Sequence, residues 1–397
     1  MPAIFSAKAS LLSLALLSAI HAPACQAAAG AGNGPSRTLP AVHLAAASGW
    51  TARQLMPRTE VAVTRVAVID IFPDRPDPAI VALDELGRCW IIAREQDGWS
   101  ARETVHDRGG LTALARGDID PRTPGSETFM GGSAGNLYLF GSHPQGAFDA
   151  RLIAQFPGVE IHTVLAGDLD PFSKGDELLV FTQPRGASRV RADGPHGTFT
   201  SEPVHGLDVG VRDALLLPFE VGQLPVFATA SASGRVELSS LTPDGPERSI
   251  LFDGASGVAR LARAPARFGR GPILYSCLDD GRILRHQRRA EGEWITETLH
   301  AGAAGPLGLV AGNFDPDPTV ESLAVFTADG AVSLLSRHAD RWSTRTIFED
   351  LGSAAWLAAG ELDGNNSTDE LLACGAAGRV VLLSRTASDP GQPRSAP

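Results

Sequence analysis

The chain has 397 residues and a formal net charge of −11 at pH 7. An acidic chain of this kind argues against broad binding to nucleic acids or anionic membranes, which needs basic surfaces. Glycine (43 residues) and proline (28 residues) are abundant, although 43% of the residues are hydrophobic. This combination predicts many short strands joined by tight turns rather than disorder.

The N-terminus has the layout of a secretory signal peptide. Lys8 precedes an apolar run over residues 9–20, and small residues are frequent over 22–29. The run is too short to span a bilayer. We therefore expect residues 1–29 to be removed on export to the periplasm or the medium. Ordinary cleavage is favoured over lipid attachment at Cys25, because alanine stands three residues before that cysteine.

The regions that flank the predicted domain are expected to carry no fold of their own. Residues 30–40 are expected to form a flexible linker and residues 388–397 a disordered tail, because both are rich in small residues, glycine and proline. No later segment is long and apolar enough to cross a bilayer. The part between them, residues 41–387, is expected to be one monomeric domain.

Seven copies of one short pattern divide this domain into units. Four copies are clear: Ala115–Pro121, Leu165–Pro171, Val310–Pro316 and Ala358–Gly364. Weaker copies lie at residues 67–73, 217–220 and 264–267. With the glycine position as anchor, the copies fall at 69, 117, 167, 217, 264, 312 and 360. Their regular separation indicates a repeat architecture.

Each unit contains four short strands. In the sixth unit the strands are predicted at residues 307–312, 323–327, 331–336 and 342–347, with a hairpin turn at Asp329-Gly330. Four strands in each of seven units predict an all-β, seven-bladed β-propeller. The last unit lacks a fourth strand, whereas residues 49–55 match the fourth strand of the first unit at residues 98–104. The N-terminal strand is therefore expected to close the ring.

The turn after the first strand of a unit resembles the FG-GAP or VCBS repeat family of integrin-α-like propellers. The Gly-Asp-x-Asp pattern carries this resemblance, and in the family the turn is a calcium loop with acidic or asparagine ligands at positions 1, 3, 5 and 9. The resemblance implies structural calcium in two units, since alternate carboxylates suit that ion. The implied ligands are Asn313, Asp315, Asp317 and Glu321 in unit six and Glu361, Asp363, Asn365 and Asp369 in unit seven.

A second interpretation of these loops needs no metal. An aspartate in a tight turn accepts hydrogen bonds from backbone amides two residues further on. Units two and three depart from the calcium pattern at position 5, which is Arg122 in one and Phe172 in the other. Turn capping is therefore favoured in those two units. In units six and seven both interpretations stay open.

Polar and aromatic residues recur at the start of the first strands, where the loops of a propeller converge on the channel mouth. The candidate ligand-binding residues are Arg65, His162, Arg212, Asp213, Arg260 and Trp356. They suit a carboxylated or sulfated ligand, with Trp356 as a platform for a sugar ring. The alternative is that these residues line a solvated channel and pair with one another.

No catalytic signature is present in the sequence. It contains no HExxH, P-loop or CxxC motif. The leading hypothesis is an exported, non-enzymatic binding or scaffold propeller, whose ligand at the channel mouth is an acidic saccharide or a protein partner. The alternative is a carbohydrate-active lyase or dehydratase in which His162 serves as the base.

Overall fold

The fold is known from a computed structural model of the chain. It describes residues 37–39, 41–56, 61–70, 78–96, 98–120, 126–142, 148–170, 175–193, 198–218, 224–265, 271–289, 292–301, 306–339, 341–352, 354–364 and 367–386. The predicted signal peptide and the tail 388–397 lie outside these residues. Within the described ranges no helix is long and apolar enough to span a membrane.

The described strands form seven antiparallel sheets in chain order. The N-terminal strands are β1 (Arg37–Thr38), β2 (Val42–Leu44) and β3 (Trp50–Gln54). Blade one contains β4 (Val63–Ile69), β5 (Ala79–Asp84), β6 (Arg88–Glu95) and β7 (Gly98–His106). Blade two contains β8 (Leu111–Gly117), β9 (Glu127–Gly132), β10 (Asn136–Ser142) and β11 (Phe148–Gln155). Blade three contains β12 (Glu160–Gly167), β13 (Glu177–Gln183), β14 (Gly186–Asp193) and β15 (Thr198–Val204).

The remaining blades follow the same plan. Blade four contains β16 (Val211–Leu216), β17 (Phe227–Ser231), β18 (Arg235–Thr242) and β19 (Gly245–Asp253). Blade five contains β20 (Val258–Arg263), β21 (Ile273–Leu278), β22 (Arg282–Arg288) and β23 (Trp294–Ala301). Blade six contains β24 (Pro306–Gly312), β25 (Glu321–Thr327), β26 (Val332–His338) and β27 (Arg341–Phe348). Blade seven contains β28 (Ala354–Gly360), β29 (Glu370–Gly375) and β30 (Val380–Arg385).

The second strand of each blade is the most buried. Every residue of β5, β21 and β29 is buried, because each of these strands lies between two neighbouring blades. Their apolar residues pack into clusters that join one blade to the next. The continuous apolar runs of the sequence are therefore strands that are covered on both faces.

The first strands stand next to one another around the channel. Contacts run from β4 through β8, β12, β16, β20 and β24 to β28, and β28 contacts β4 again. The seven-bladed propeller that the repeats predict is thereby confirmed. The four strands predicted for blade six are also found, with boundaries that differ by a few residues.

The N-terminal strand closes the ring as predicted. β3 pairs antiparallel with β30, from Trp50 opposite Arg385 to Gln54 opposite Val381. Two further strands were not predicted. β2 pairs with the outer side of β3, and β1 pairs with the outer side of β7. Part of the predicted linker 30–40 thus belongs to the sheet of blade one.

One irregularity recurs in the first strand of all seven blades. The pairing with the second strand skips one residue, which is the mark of a β-bulge. The skipped residues are Thr64, Thr112, His162, Arg212, Ala259, Leu307 and Ala355. The bulge places the candidate ligand-binding residues, since these are either the skipped residue or the one that follows it.

Candidate functional site

Four of the six candidate channel residues directly follow a bulge. They are Arg65 on β4, Asp213 on β16, Arg260 on β20 and Trp356 on β28. All four are partly buried. Because the four strands line the channel, these side chains converge from blades one, four, five and seven. We call this group the channel cluster.

Two arginines contact the same tryptophan in the channel cluster. The guanidinium carbon of Arg65 lies 4.1 Å from the ring centroid of Trp356, and that of Arg260 lies 4.5 Å from it. Arg260 belongs to blade five, so it reaches past blade six. Blade six has Gly308 at this position, where a Cβ atom would meet the Phe326 ring at 2.3 Å. Blade six therefore contributes no side chain to the channel cluster from this position.

The two arginines are held in the same way. Nη1 of Arg65 donates a hydrogen bond of 2.9 Å to the carbonyl of Thr64, and Nη1 of Arg260 donates one of 2.7 Å to the carbonyl of Ala259. Both acceptors are bulge residues. The Nε atom of Arg260 is buried and has no hydrogen-bond partner among the described residues. The bulge thus orients each guanidinium while leaving further donors available.

Asp213 is the acidic member of the channel cluster. Its Oδ2 accepts a hydrogen bond of 2.8 Å from the amide of Leu261, and its Oδ1 accepts one of 3.0 Å from the amide of Ala214. Burial raises the pKa of Asp213 above its usual value, although Arg260 and Arg65 act in the opposite direction. With both oxygens bound to backbone amides, this carboxylate is fixed in place.

The channel cluster carries an excess of positive charge. It contains two guanidinium groups and one carboxylate, and no carboxylate of the described residues forms an ion pair with Arg65 or Arg260 within 4.0 Å. Burial, followed by repulsion from Arg260, lowers the pKa of Arg65 to about 9. Arg65 therefore remains protonated at neutral pH, in a place where its charge is poorly compensated. An anion is the species that would relieve this imbalance.

The other two candidate channel residues make different contacts. Nε2 of His162 lies 3.8 Å from Oε2 of Glu160, and Nη1 of Arg212 forms an ion pair of 2.7 Å with Asp279. Both are bulge residues rather than the residues that follow a bulge. The structure therefore brings together four of the six predicted residues.

Trp356 contacts both arginines of the channel cluster. Both guanidinium groups lie within 4.5 Å of its ring centroid, a distance typical of cation–π contacts. In this arrangement the indole holds the two arginines at one end of the channel. Stacking of a sugar ring on Trp356 stays a prediction.

The acidic residue at position 9 of the turns reaches the preceding blade. Asp369 of blade seven accepts a hydrogen bond of 2.6 Å from the amide of Asn313 in blade six. Asp176 of blade three accepts one of 3.0 Å from the amide of Asp118 in blade two. Glu321 of blade six binds Arg285 of blade five at 2.7 Å. These side chains join neighbouring blades.

The other predicted calcium ligands of blade six cap their own turn. Oδ1 of Asp315 accepts the amide of Asp317 at 3.0 Å, and Oδ1 of Asp317 accepts the amide of Thr319 at 2.9 Å. Both bonds join residues two positions apart, as the interpretation without metal predicts. Asp315 also lies 3.3 Å from Arg385. The predicted ligand Asn365 of blade seven lies outside the described residues.

A different acidic group comes together in blade seven. Glu361, Asp363 and Glu370 offer carboxylate oxygens that lie within 4.8 Å of one another. Glu370 stands at position 10 and was not predicted, because the family pattern places an acidic residue at position 9. The sequence does contain a signal for it, since glutamate also occupies position 10 in blades two and three, as Glu127 and Glu177.

The glutamates at position 10, which are Glu127, Glu177 and Glu370, cap the turns of their blades. Each is almost fully buried and accepts a hydrogen bond from the amide at position 2 of its turn: Glu127 from Ile119, Glu177 from Leu169, and Glu370 from Leu362. Burial raises the pKa of each glutamate to about 7. The capping interaction therefore places three ionisable groups where their charge is costly.

In blades two and three an arginine neutralises the acidic turn. Arg151 binds Asp120 at 2.6 Å, and Arg189 binds Asp170 at 2.6 Å. The guanidinium groups stand beside the position 3 carboxylates of these turns. Charge compensation without a metal is consistent with turn capping in blades two and three. Calcium in blades six and seven stays a prediction.

The comparisons with known proteins identify the fold and nothing narrower. No protein-family model matches the chain, and no curated protein matches its sequence. A chain in the crystal structure of BBS1N in complex with ARL6DN, soaked with mercury, is similar with a TM-score of 0.57 and 13% identity. The similarity covers 84% of this chain and 94% of that chain. It shows the propeller fold alone. Membership of the FG-GAP or VCBS family stays a prediction, while the fold is compatible with a binding or scaffold role.

Proposed function

We propose that this protein is an exported, non-enzymatic binding propeller that holds an anionic group of its ligand between Arg65 and Arg260. The observation that carries the proposal is the pair of guanidinium groups gathered on one indole without a carboxylate ion-paired to either within the described residues. A charged group in such a place gains more from a partner than an exposed one does. Carboxylate and sulfate groups match the planar donors of arginine.

The anion is expected on a saccharide or on a protein partner that enters the channel. The overall charge of the chain is −11, so long-range attraction does not draw anions to it. Affinity must therefore come from the local cluster. The signal peptide that the sequence predicts at residues 1–29 supports a periplasmic or secreted location, where acidic polysaccharides are encountered.

The test is calorimetric titration of the full chain with oligogalacturonates, sulfated oligosaccharides and a neutral oligosaccharide. We expect only the acidic ligands to bind. Arg65→Gln and Arg260→Gln should each lower the affinity ten- to a hundredfold, since a hydrogen bond to a charged group contributes about 1.5–3 kcal/mol. Arg282→Gln is the matched control, because it removes the same charge from an exposed pair with Asp280.

Two results would contradict this function. Affinity that survives both channel substitutions would place the anion elsewhere. Ultraviolet absorbance from an unsaturated product, lost in His162→Ala, would show lyase activity instead.

A further inference from the structure

A tryptophan opens the outermost strand in four blades, and its surroundings differ between them. Trp50, Trp99, Trp294 and Trp342 all occupy this position. In blades one and seven the tryptophan is 5% exposed. In blade five, Trp294 is partly exposed and packs against the core of blade four. The groove between two blades is therefore closed at one of these tryptophans and open at another.

In the groove between blades seven and one, β1 and the following residue cover the tryptophan. β1 pairs with β7, placing Arg37 opposite Ala101 and Thr38 opposite Ser100. The amide of the next residue, Leu39, donates a hydrogen bond of 2.9 Å to the carbonyl of Trp99. Leu39 itself is 8% exposed and belongs to the same apolar cluster as Trp99. An extended segment thus adds a strand and covers the tryptophan with one large apolar side chain.

The groove between blades four and five contains a cavity at the corresponding place. Its volume is about 510 Å³, and its wall combines the apolar side chains of Trp294, Leu217, Val226 and Pro272 with polar and charged ones, among them Ser239, Glu247, Arg248 and Arg288. This volume lies within the range of ligand pockets, roughly 300–1,000 Å³, and leaves room for a large side chain. Ser239 is 2% exposed, and its hydroxyl has no hydrogen-bond partner among the described residues. A buried polar group of this kind is costly unless something binds it.

The outer edge of β23 is also open within the described part of the chain. No backbone hydrogen bond joins β23 to the N-terminal strands there, whereas the amide of Ala47 donates to the carbonyl of Ile347 in blade six. Ile295, next to Trp294, is 36% exposed. An unpaired edge with exposed apolar residues readily accepts an added strand.

We propose that the groove between blades four and five binds an extended peptide of a partner protein. The peptide pairs with β23 at Trp294, Ile295 and Thr296, and inserts one large apolar side chain beside Trp294, as Leu39 does beside Trp99. Two flanking segments of the chain itself do not fit this role. Residues 30–36 and 387–397 contain no large apolar side chain. This site is separate from the channel cluster and does not depend on the anionic ligand.

A displayed library of twelve-residue peptides, selected on the full chain, tests the proposal. We expect enrichment of sequences with a large apolar residue at one fixed position. Fluorescence polarisation should show at least tenfold weaker binding of such a peptide to Trp294→Ala. Trp342→Ala is the matched control, because it removes the same side chain from the same repeat position of blade six. Binding should be unchanged in this control and in Arg260→Gln.

A second measurement does not depend on the stability of any variant. N-methylation of single peptide amides should weaken binding at alternate residues only, because an added strand donates to its neighbour from every second amide. Hydrogen exchange at residues 294–296 should slow when the peptide binds. The proposal is overturned if no sequence is enriched, if Trp294→Ala binds as tightly as the wild type, or if N-methylation has no alternating effect.

Discussion

The two ends of the first strands differ in what recurs from blade to blade. Side chains recur at the turn, whereas only the backbone bulge recurs at the channel. At the turn that follows the strand, the same types of side chain make the same contacts in several blades. Glutamate at position 10 caps the turn in blades two, three and seven, and an acidic residue at position 9 reaches the preceding blade in blades three, six and seven. At the channel end the backbone repeats, with one bulge in every blade, but the side chains differ.

This difference separates structure from recognition inside one molecule. A side chain that recurs with the backbone has a structural role that the blades share, such as accepting a hydrogen bond from an otherwise unpaired amide in a turn. A side chain that occurs in only one or two blades, at a backbone position that recurs in all of them, is expected to serve recognition instead. Arg65, Arg260 and Trp356 belong to this second kind, and the bulge is the common device that presents them to the channel.

The largest effect is expected from removing the strand that closes the ring. Deletion of residues 41–57 takes away β2 and β3 and leaves β30 as an open edge beside the buried Leu383. We expect aggregation and loss of cooperative unfolding, measured by light scattering and calorimetry. Deletion of residues 388–397 is the control and should leave the melting temperature unchanged. Equal behaviour of the two truncations would contradict the role of closure.

The turn glutamates should make stability depend on pH. Glu127, Glu177 and Glu370 have pKa values near 7 in the fold and an ordinary value of 4.5. The folded chain therefore binds more protons than the unfolded chain between these values. The stability from each group is full below pH 4.5 and is lost as the pH rises through about 7. Each shift corresponds to on the order of 3 kcal/mol.

Urea unfolding between pH 4.5 and 8, in the presence of a chelator, measures this effect. Glu177→Gln should flatten the pH dependence by about one third of its total, since three equivalent groups share it. Glu293→Gln is the control, because that side chain is 72% exposed. A profile that Glu177→Gln leaves unchanged would show that the turn glutamate does not titrate in this range.

The smallest effect is expected from calcium. A calcium ion bound in blade seven would make its turn an exception among turns that are otherwise capped without a metal. Glu361, Asp363 and Glu370 are close enough for one ion. We expect millimolar calcium to raise the melting temperature and Glu361→Gln to remove the increase, because binding at a hundredfold excess over Kd stabilises a fold by about 2.7 kcal/mol. Asp317→Asn in blade six should not remove it. A melting curve that is the same in calcium and in chelator would leave the turn a cap only.

The sequence predicts the propeller well because every blade repeats the evidence. The anchor positions, the hairpin turns and the tryptophans at the fourth strand each recur, and together they reveal that the fourth strand of blade seven comes from residues 49–55. The closing pair of β3 and β30 could be predicted because its sequence copies an intact strand elsewhere in the chain. Repetition supplies information about contacts that are distant in sequence.

Several of the unpredicted features lack a repeated signal, although the recurring glutamate at position 10 does have one. β1 has two residues and β2 has three, too few for a recognisable alternation. A bulge changes where a side chain points without changing the sequence pattern, so the sequence could not separate Arg260 from Arg212. The contacts of Trp356 with two arginines join blades one, five and seven, so no pattern within a single repeat predicts them.

The pairing of β3 with β30 has a consequence for how the chain folds. The hydrogen bond from Thr51 to the carbonyl of Ser384 joins residues 333 positions apart. Closing so long a loop costs entropy, and contacts of such separation slow folding. β3, which is synthesised early, must wait with one edge unpaired until β30 exists. Blades one to six can assemble from local hairpins, so ring closure is expected to be the final and slowest step. The same pairing of β3 with β30 holds the ring closed. The rate at which it opens is therefore expected to set the lifetime of the native ring.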